Sequence, residues 1–179
     1  MRRAIPADVV ALATVHAVTT GHAYAGIFPP DAPKPTVDEL AVLWQERVAA
    51  GDENPARAAV LVVDDDTTDP GIPPIIGVAA FEAVDRSPFD GQADVVLLRS
   101  FYVLPDHWDR GLGRALHEAL VTQARAWGAS AIDVPVLEGN KRARAWYLRH
   151  RYEPIGARLP ALGDLDLWDE GLRLAAPFT

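Results

Sequence analysis

The chain has 179 residues, of which 49% are hydrophobic and 23% charged, a length and composition typical of one globular domain with its own core. It contains no cysteine, which excludes disulfides, thiolate metal ligands and a cysteine nucleophile. Its formal net charge of −8 disfavours a nucleic-acid partner, because phosphate binding needs a basic surface, and weakly favours a cationic amine as substrate.

The sequence also gives expectations about the cellular location and the metal content of the protein. The first six residues show no secretory leader, and no apolar run approaches the ~20 residues that cross a bilayer, so we expect a cytoplasmic protein without membrane contact. The acidic run 64–66 lacks the spacing of a calcium loop, which predicts a solvated turn. We expect no metal, because the histidines have no spacing typical of a metal site; they are His16, His22, His107, His117 and His150.

The chain begins with a short strand in "RRAIP" and a helix with apolar residues at helical spacing, namely Val9, Leu12, Ala13, His16 and Ala17. A loop rich in Pro and Gly, "HAYAGIFPPDAPKP", follows the helix. Its aromatic residues Tyr24 and Phe28 either fill the core or line a substrate pocket. The large apolar area of an aromatic ring favours the core, and the pocket stays open.

A second helix starts at Thr36, because Glu39 three residues later completes a capping box. Its apolar face holds Leu40, Leu43, Trp44 and Val48, and Gly51 is predicted to end it as a left-handed cap. Three runs rich in β-forming residues come next, at 57–63, 73–84 and 93–103. The loops between them predict antiparallel hairpins.

The second half of the chain predicts a helix, a strand, a second helix and a last strand. The first helix face comprises Leu112, Ala115, Leu116, Ala119, Leu120, Gln123 and Trp127, with Gly128 as its cap. The strand covers 131–137, and Asn140 caps a helix with Ala143, Trp146, Tyr147 and His150 on its inner face. The basic residues of this helix, in "NKRARAWYLRHR", form either a solvated face or the side of an anionic ligand. "LRLAAPF" can close the sheet.

This order predicts an α/β fold with a mixed, mostly antiparallel central sheet flanked by helices, in one domain covering 1–179. The strands 93–103 and 131–137 are joined through a helix, which makes them a parallel pair. Pro135 cannot donate to a sheet ladder. We therefore expect the parallel pair to be splayed apart along part of its length.

The stretch "DRGLGR" between strand and helix predicts an anion site. The amides of residues 110–114 lie at a helix start, Gly111 and Gly113 allow close approach, and Arg110 and Arg114 add charge. The third glycine of a dinucleotide loop and the Gly-Lys-Ser/Thr of a Walker loop are both missing. A pyrophosphate with an extended tail lying along the splayed strand fits the pattern, and coenzyme A is such a ligand.

Two motifs resemble the GNAT superfamily of N-acetyltransferases. "FYVLPDHWDRGLGRAL" is similar to its acyl-CoA-binding motif, and "LEGNKRARAWYLRHRYEPIG" is similar to its later motif. The resemblance implies that Phe101, Tyr102 and Val103 pair with the pantetheine arm of acetyl-CoA. It also implies that the loop formed by Trp108, Asp109, Arg110, Gly111, Leu112, Gly113 and Arg114 binds the pyrophosphate, that Asn140 contacts the pantetheine or a water, and that Tyr147 is the general acid.

The sequence departs from that pattern at several positions. Trp108 stands where the family has Gln or Arg, Asp109 brings a carboxylate beside the expected phosphates, and 151–152 is Arg-Tyr in place of Gly-Phe. The strand that leads into the motif carries no glutamate. Glu82 on the preceding strand, or a chain of waters, is then the candidate base, although strand alternation alone also predicts an outward polar residue there.

Two functions follow as expectations. The first is an N-acetyltransferase that transfers an acetyl group from acetyl-CoA to a primary amine of a small molecule or peptide by direct attack. The alternative is a catalytically inactive acyl-CoA-binding sensor or interaction module. We expect the acceptor to be selected by "HAYAGIFPP", with Tyr24 and Phe28, and by residues 157–171. Protein N-termini, aminoglycosides, polyamines and amino acids remain open, as does the choice between a monomer and a homodimer.

Overall fold

The computed structural model describes residues 1–65, 74–161 and 166–178. Seven strands form one sheet in the order β1-β2-β3-β4-β5-β7-β6, mostly antiparallel with one parallel pair, β4 and β5. The strands are β1 (Arg2–Arg3), β2 (Ala58–Asp64), β3 (Ile75–Arg86), β4 (Ala93–Val103), β5 (Ala131–Leu137), β6 (Glu153–Pro160) and β7 (Trp168–Ala175). The helices are α1 (Val9–Ala23), α2 (Val37–Glu53), α3 (Leu112–Ala126) and α4 (Lys141–Arg149). The fold class predicted from the sequence is confirmed.

The chain divides into two compact units, and the first comprises Met1–Phe81 and Ser100–Leu120. Its core holds fully buried side chains from α1, α2, β2 and β3, among them Leu12, Trp44, Val62 and Ile75. The predicted capping box is present, because the Thr36 hydroxyl accepts from the Glu39 amide and the Glu39 carboxylate accepts from the Thr36 amide. These two hydrogen bonds satisfy amides that an open helix start would leave unpaired.

The prediction that Gly51 ends the second helix is wrong. α2 continues to Glu53, and Asn54 caps it with an extended φ of −136°. Gly51 is buried inside the helix, and a Cβ there would lie 3.7 Å from the Ala58 carbonyl oxygen and the Ala59 Cα. These are ordinary van der Waals distances, so neither the space around Gly51 nor its φ requires a glycine at this position.

The second unit comprises Glu82–Arg99 and Val121–Thr179. In the described residues of this unit, the parallel pairing of β4 with β5 runs from Val95 opposite Ala131 to Leu97 opposite Asp133 and no further. Along its other side, β5 pairs with β7 over its whole length, and Pro135 lies opposite Gly171. The pairing with β4 stops two residues before Pro135, as the missing amide hydrogen predicts. Gly128 has a φ of +71° after α3, which confirms its predicted role as a cap.

The strand β6 differs from the sequence-based expectation, which has no strand at these residues. This strand lies at the end of the sheet order and pairs only with β7 among the described strands, with a register shift between Pro154 and Arg158. Its prolines and Gly156, which has a φ of +81°, are residues that normally argue against a strand. An edge strand tolerates them because one of its sides needs no ladder partner. Within the predicted acceptor segment 157–171, residues 162–165 lie outside the described part of the chain, as does Asp66 of the predicted acidic turn.

Candidate active site

The end of β4 directs alternate backbone groups to its two sides. The Leu104 amide donates to the Ile76 carbonyl of β3 at 2.9 Å, and the Tyr102 carbonyl oxygen also faces β3, 3.5 Å from where a Cβ on Gly77 would lie. Because backbone groups of successive strand residues alternate in direction, those of Phe101 and Val103 point away from β3. Phe101 and Val103 are therefore the residues of the predicted trio whose main chain faces the side expected for a pantetheine arm.

Trp108 closes the loop after β4 against the strand. Its indole Nε1 donates to the Val103 carbonyl at 2.7 Å, and the Thr19 hydroxyl reaches the same oxygen at 3.4 Å. The indole ring also meets the His22 ring edge to face, with centroids 5.1 Å apart. Trp108 thus has a structural contact that the sequence reasoning did not anticipate. With its carbonyl engaged, Val103 keeps its amide as the group that can meet a ligand.

The loop itself turns through two left-handed residues. Asp109 has a φ of +58° and Gly111 a φ of +86°, and α3 begins at Leu112. A Cβ on Gly111 would meet no atom within 4 Å. Glycine is therefore favoured at this position by the left-handed backbone conformation and not by a lack of space. Successive turns of this kind point amides to one side and favour an anion.

The charged side chains of the loop lie in solvent. Arg110 and Arg114 are exposed, and Arg114 pairs with Glu118 one helical turn later, with 2.8 Å between Nε and Oε1. An exposed pair at this spacing stabilises a helix by only ~0.3–0.5 kcal/mol. Because the ion pair with Glu118 stabilises so little, Arg114 can exchange it for a stronger contact with a phosphate.

In the second unit, Asn140 and Tyr147 belong to α4. The Asn140 side-chain oxygen accepts from the Ala143 amide at 3.1 Å, which confirms its predicted capping role and leaves the side-chain NH2 as the end suited to donate to a ligand. Tyr147 is buried, and its ring packs edge to face on Trp146 and Tyr152. Burial, with Asp133 nearby, raises the pKa of the Tyr152 phenol above its usual range.

Glu82 forms an ion pair. Its Oε1 lies 2.7 Å from Arg99 Nε and 2.6 Å from a second Arg99 nitrogen. Both side chains are partly exposed, at 37% and 46%. The candidate base is thus a carboxylate with a cationic partner.

Tyr24 and Phe28 stack on each other after α1. Their ring centroids are 5.5 Å apart and their planes are inclined by 25°. Both residues are half-buried and neither belongs to the buried core. The preference for a core position is therefore wrong, and a pocket-lining role stays a prediction.

A polar cluster that the sequence reasoning did not single out lies between α1, α2 and β4. His16 stacks on Tyr102 with centroids 4.6 Å apart, and its Nε2 lies 3.1 Å from the Tyr102 hydroxyl. Arg47 donates to the Ser100 hydroxyl at 2.5 Å. Burial, and secondarily the charge of Arg47, lower the pKa of His16 to about 4. One signal was available: His16 is a titratable residue on an otherwise apolar helix face.

Among residues 1–65, 74–161 and 166–178, no helix is both long enough and apolar enough to span a membrane. No group of three or more His, Cys, Asp or Glu residues among them is arranged to hold a metal ion.

Comparisons with known proteins agree with the predicted acyl-CoA site. Residues 21–152 match the model of the acetyltransferase (GNAT) family. No curated protein sequence matches the chain. Among solved structures, the PaiA N-acetyltransferase of Thermoplasma acidophilum in complex with coenzyme A aligns with a TM-score of 0.70 at 14% identity, over 97% of this chain and 96% of that one.

Two further structures are similar over nearly the full length. The ribosomal-protein-alanine N-acetyltransferase of Brucella melitensis has a TM-score of 0.68 at 20% identity, over 97% of this chain and 98% of that one. The YncA protein of Salmonella typhimurium, solved with its cofactor acetyl-CoA, has a TM-score of 0.62 at 22% identity, over 97% and 91%. At these identities the likeness establishes the shared fold.

Proposed function

The chain belongs to the acetyltransferase (GNAT) family, and on that premise we propose that it transfers an acetyl group from acetyl-CoA to a primary amine by direct attack in a ternary complex. Acetyl-CoA is the cosubstrate of the family. The observation that carries the proposal is the left-handed turn at Asp109 and Gly111 immediately before the start of α3. Such a turn at a helix start suits a pyrophosphate.

On this proposal, the residues of the first unit bind the acyl donor. The amides of 110–114 and the positive end of the α3 dipole hold the phosphates. The main chain of Phe101 and the Val103 amide pair with the pantetheine arm, and the contact of Asn140 with the pantetheine or a water stays what the family resemblance implies. The Val103 carbonyl is left out of this set, because Trp108 and Thr19 already donate to it.

The reaction removes two protons from the acceptor nitrogen, one from the alkylammonium before attack and one after the carbon–nitrogen bond has formed, and it supplies one proton to the sulfur. The amine nitrogen forms a bond to the thioester carbon, the carbon–sulfur bond breaks, and the sulfur leaves as a thiolate that takes the proton of the Tyr147 phenol. An alkylammonium with an ordinary pKa of ~10.4 is neutral in only about one molecule in a thousand at pH 7. Glu82 or a chain of waters removes that proton, and the ion pair with Arg99 makes the water chain the better candidate.

A glycine substitution tests the acyl-donor site. Gly113→Val places a branched side chain on the loop that must approach the phosphates, so we expect acetyl-CoA affinity to be lost in calorimetry while the fold is kept. Gly21→Val is the matched control, because Gly21 also lies in a helix and a Cβ there meets no atom within 4 Å. Unchanged affinity in the folded Gly113→Val protein would mean that the loop is an ordinary turn.

A second substitution tests the acid. Tyr147→Phe keeps the ring and removes the hydroxyl, so kcat should fall about 100-fold, the lower range for a general acid, with an unchanged Kd for acetyl-CoA. Equal kcat in the two proteins, with chemistry rate-limiting, would remove Tyr147 from the mechanism.

One observation favours the alternative, an acyl-CoA-binding module without catalysis: the candidate base Glu82 is paired with Arg99. Thiol release measured over a panel of amines separates the two functions. A binding module would gain thermal stability from coenzyme A and release no thiol with any amine. The proposal also includes a single domain over 1–179 and a cytoplasmic location. It further includes a role of Tyr24 and Phe28 in binding the acceptor. The amine panel does not measure the oligomeric state, which needs a separate experiment.

A further inference from the structure

Asp169 of β7 is a half-buried carboxylate that has no partner in the part of the chain that the structure describes. Its side chain takes part in no hydrogen bond and no ion pair there, and burial alone raises the pKa of the carboxyl above its usual range. The other carboxylates of β5 and β7, Asp133 and Glu170, are each paired with an arginine. Burying an ionised carboxylate without a partner costs free energy, so stability gives no reason for an aspartate at this position.

The neighbours of Asp169 in the sheet are apolar. Its register partners are Leu137 of β5 and Leu159 of β6, and residues directly opposite each other on antiparallel strands share one face. Gly171 lies two residues further along the same face, where the Phe89 ring covers it. The two leucines exclude water from part of the carboxylate, and the loss of hydration disfavours its charged form.

Asp169 and α4 lie on opposite faces of the sheet. The neighbouring Glu170 is held by Arg144 of α4, with 2.7 Å between Nε and Oε2, so Glu170 faces that helix. Side chains of successive strand residues point to opposite faces, and Asp169 therefore points away from α4. Tyr147, the proposed general acid, belongs to α4. A proton donor and an unpartnered carboxylate are thus available from the two faces of this part of the sheet.

Asp169 also lies beside the open edge of β5. In the second unit as described, β4 pairs with β5 only up to Asp133, and the edge of β5 from Val134 to Leu137 has no pairing with β4. Residues paired across antiparallel strands have their Cα atoms about 5 Å apart, so Asp169 is one strand away from the end of that edge. On the proposed function, the acyl arm lies along this edge, and an amine that approaches it from the face of Asp169 has this carboxylate beside it.

We propose that Asp169 is the general base of the acetyl transfer and takes the first proton of the acceptor's ammonium group through one water. The N–H bond breaks, its electron pair stays on nitrogen as the lone pair that attacks the thioester carbon, and the water passes a proton to the carboxylate. The second proton leaves the nitrogen after the carbon–nitrogen bond has formed and restores the Tyr147 phenol, which has protonated the sulfur. Asp169 then releases its proton to solvent, so each turnover yields one amide, one thiol and one proton. The inference rests on the proposed function and gives Asp169 the role considered there for Glu82.

The charged groups around Asp169 leave it available as a base. Those that share its face of the sheet among the described residues are Arg173 of β7, Asp133 of β5, Asp90 of the loop before β4 and Glu153 of β6. The arginine is engaged by the two aspartates, and burial is the only cause of the raised pKa of Asp169. Glu82 must break its ion pair with Arg99 before it can take a proton, whereas Asp169 has no ion pair to break.

Turnover tests this role through the basicity of the acceptor. Ethylamine and 2,2,2-trifluoroethylamine have nearly the same shape, but at pH 7 ethylamine is an ammonium ion, whereas electron withdrawal by fluorine leaves the second amine neutral. Only ethylamine needs a base before it attacks. In Asp169→Asn, we expect kcat/KM for thiol release to fall about 100-fold with ethylamine at pH 7, the lower range for a general base, and far less with trifluoroethylamine. The loss with ethylamine should shrink as the pH rises toward ~10.4, where the free amine becomes abundant.

A stability measurement tests the same carboxylate without any substrate. An aspartate whose pKa is raised in the folded protein opposes folding while it is ionised, and this effect disappears below its unfolded pKa of about 4. In urea denaturation, Asp169→Asn should therefore be more stable than the unmodified protein at pH 7, and the difference should vanish as the pH falls toward 4. Asp52→Asn is the matched control, because it removes an exposed carboxylate of α2 and should change neither the stability nor the turnover of either amine.

The outcomes separate this role from the proposed function. Equal losses with the two amines, or no loss with either, would refute the role of Asp169 and leave the acetyltransferase proposal standing. A lower stability of Asp169→Asn at pH 7 would show that the carboxylate serves the fold, and would also refute that role. If the unmodified protein releases no thiol with these two amines or with any amine of the panel, the proposed function fails and the general base fails with it.

Discussion

Gly171 of β7 is covered by the ring of Phe89, and this contact gives a sharp prediction for stability. A Cβ built on Gly171 would lie 2.6, 2.8 and 2.9 Å from three ring carbons of Phe89, well inside the distance at which carbon atoms attract. Gly171→Ala therefore forces the ring and its loop to move. Overpacking of this kind costs about 1–3 kcal/mol of the free energy of unfolding.

The loop has little freedom to yield, because Arg173 holds it through Asp90 at 2.7 Å. Urea denaturation of Gly171→Ala, Phe89→Ala and the double variant measures the coupling between the two positions. With the ring removed, Gly171→Ala should cost nothing or stabilise, because alanine restricts the unfolded chain more than glycine does. A cost for Gly171→Ala that is the same with and without the Phe89 ring would refute the steric argument.

Three further predictions concern charged groups. Asp133 is fully buried and accepts from Arg173 at 2.6 and 2.7 Å, so Asp133→Asn should cost about 3–5 kcal/mol in urea denaturation, and a cost below about 1 kcal/mol would contradict the network. Arg173 lowers the pKa of Asp90 to about 2, so this carboxylate stabilises the fold above its unfolded pKa of about 4. The stability difference between the unmodified protein and Asp90→Asn should be constant from pH 5 to 8 and vanish as the pH falls toward 2; a constant difference down to pH 2 would show that the charge is irrelevant. Asp109→Asn keeps a residue that tolerates the left-handed conformation and removes the charge, so calorimetry should show acetyl-CoA binding about two- to fivefold tighter, and unchanged affinity would place the carboxylate away from the phosphates.

The elements that the sequence predicted well are those whose signal is local. The capping box at Thr36 and the strand over 93–103 were read from side chains within a few residues of one another, and the structure has both. The strand at Glu153–Pro160 was missed because its prolines and glycine carry the opposite local signal. Only its position at the edge of the sheet makes those residues acceptable. The edge position of β6 follows from the placement of β7 between β5 and β6, and a short stretch of sequence does not encode that placement.

The same distinction applies to the candidate site. A glycine loop before a helix is a local pattern, and the positive φ of Gly111 agrees with it. The contact of Trp108 with the Val103 carbonyl depends on the loop folding back by five residues, and the meeting of His16 with Tyr102 joins residues 86 positions apart. Neither sequence separation reflects the periodicity of a helix or a strand. Long-range contacts of this kind can be found only once the topology is known.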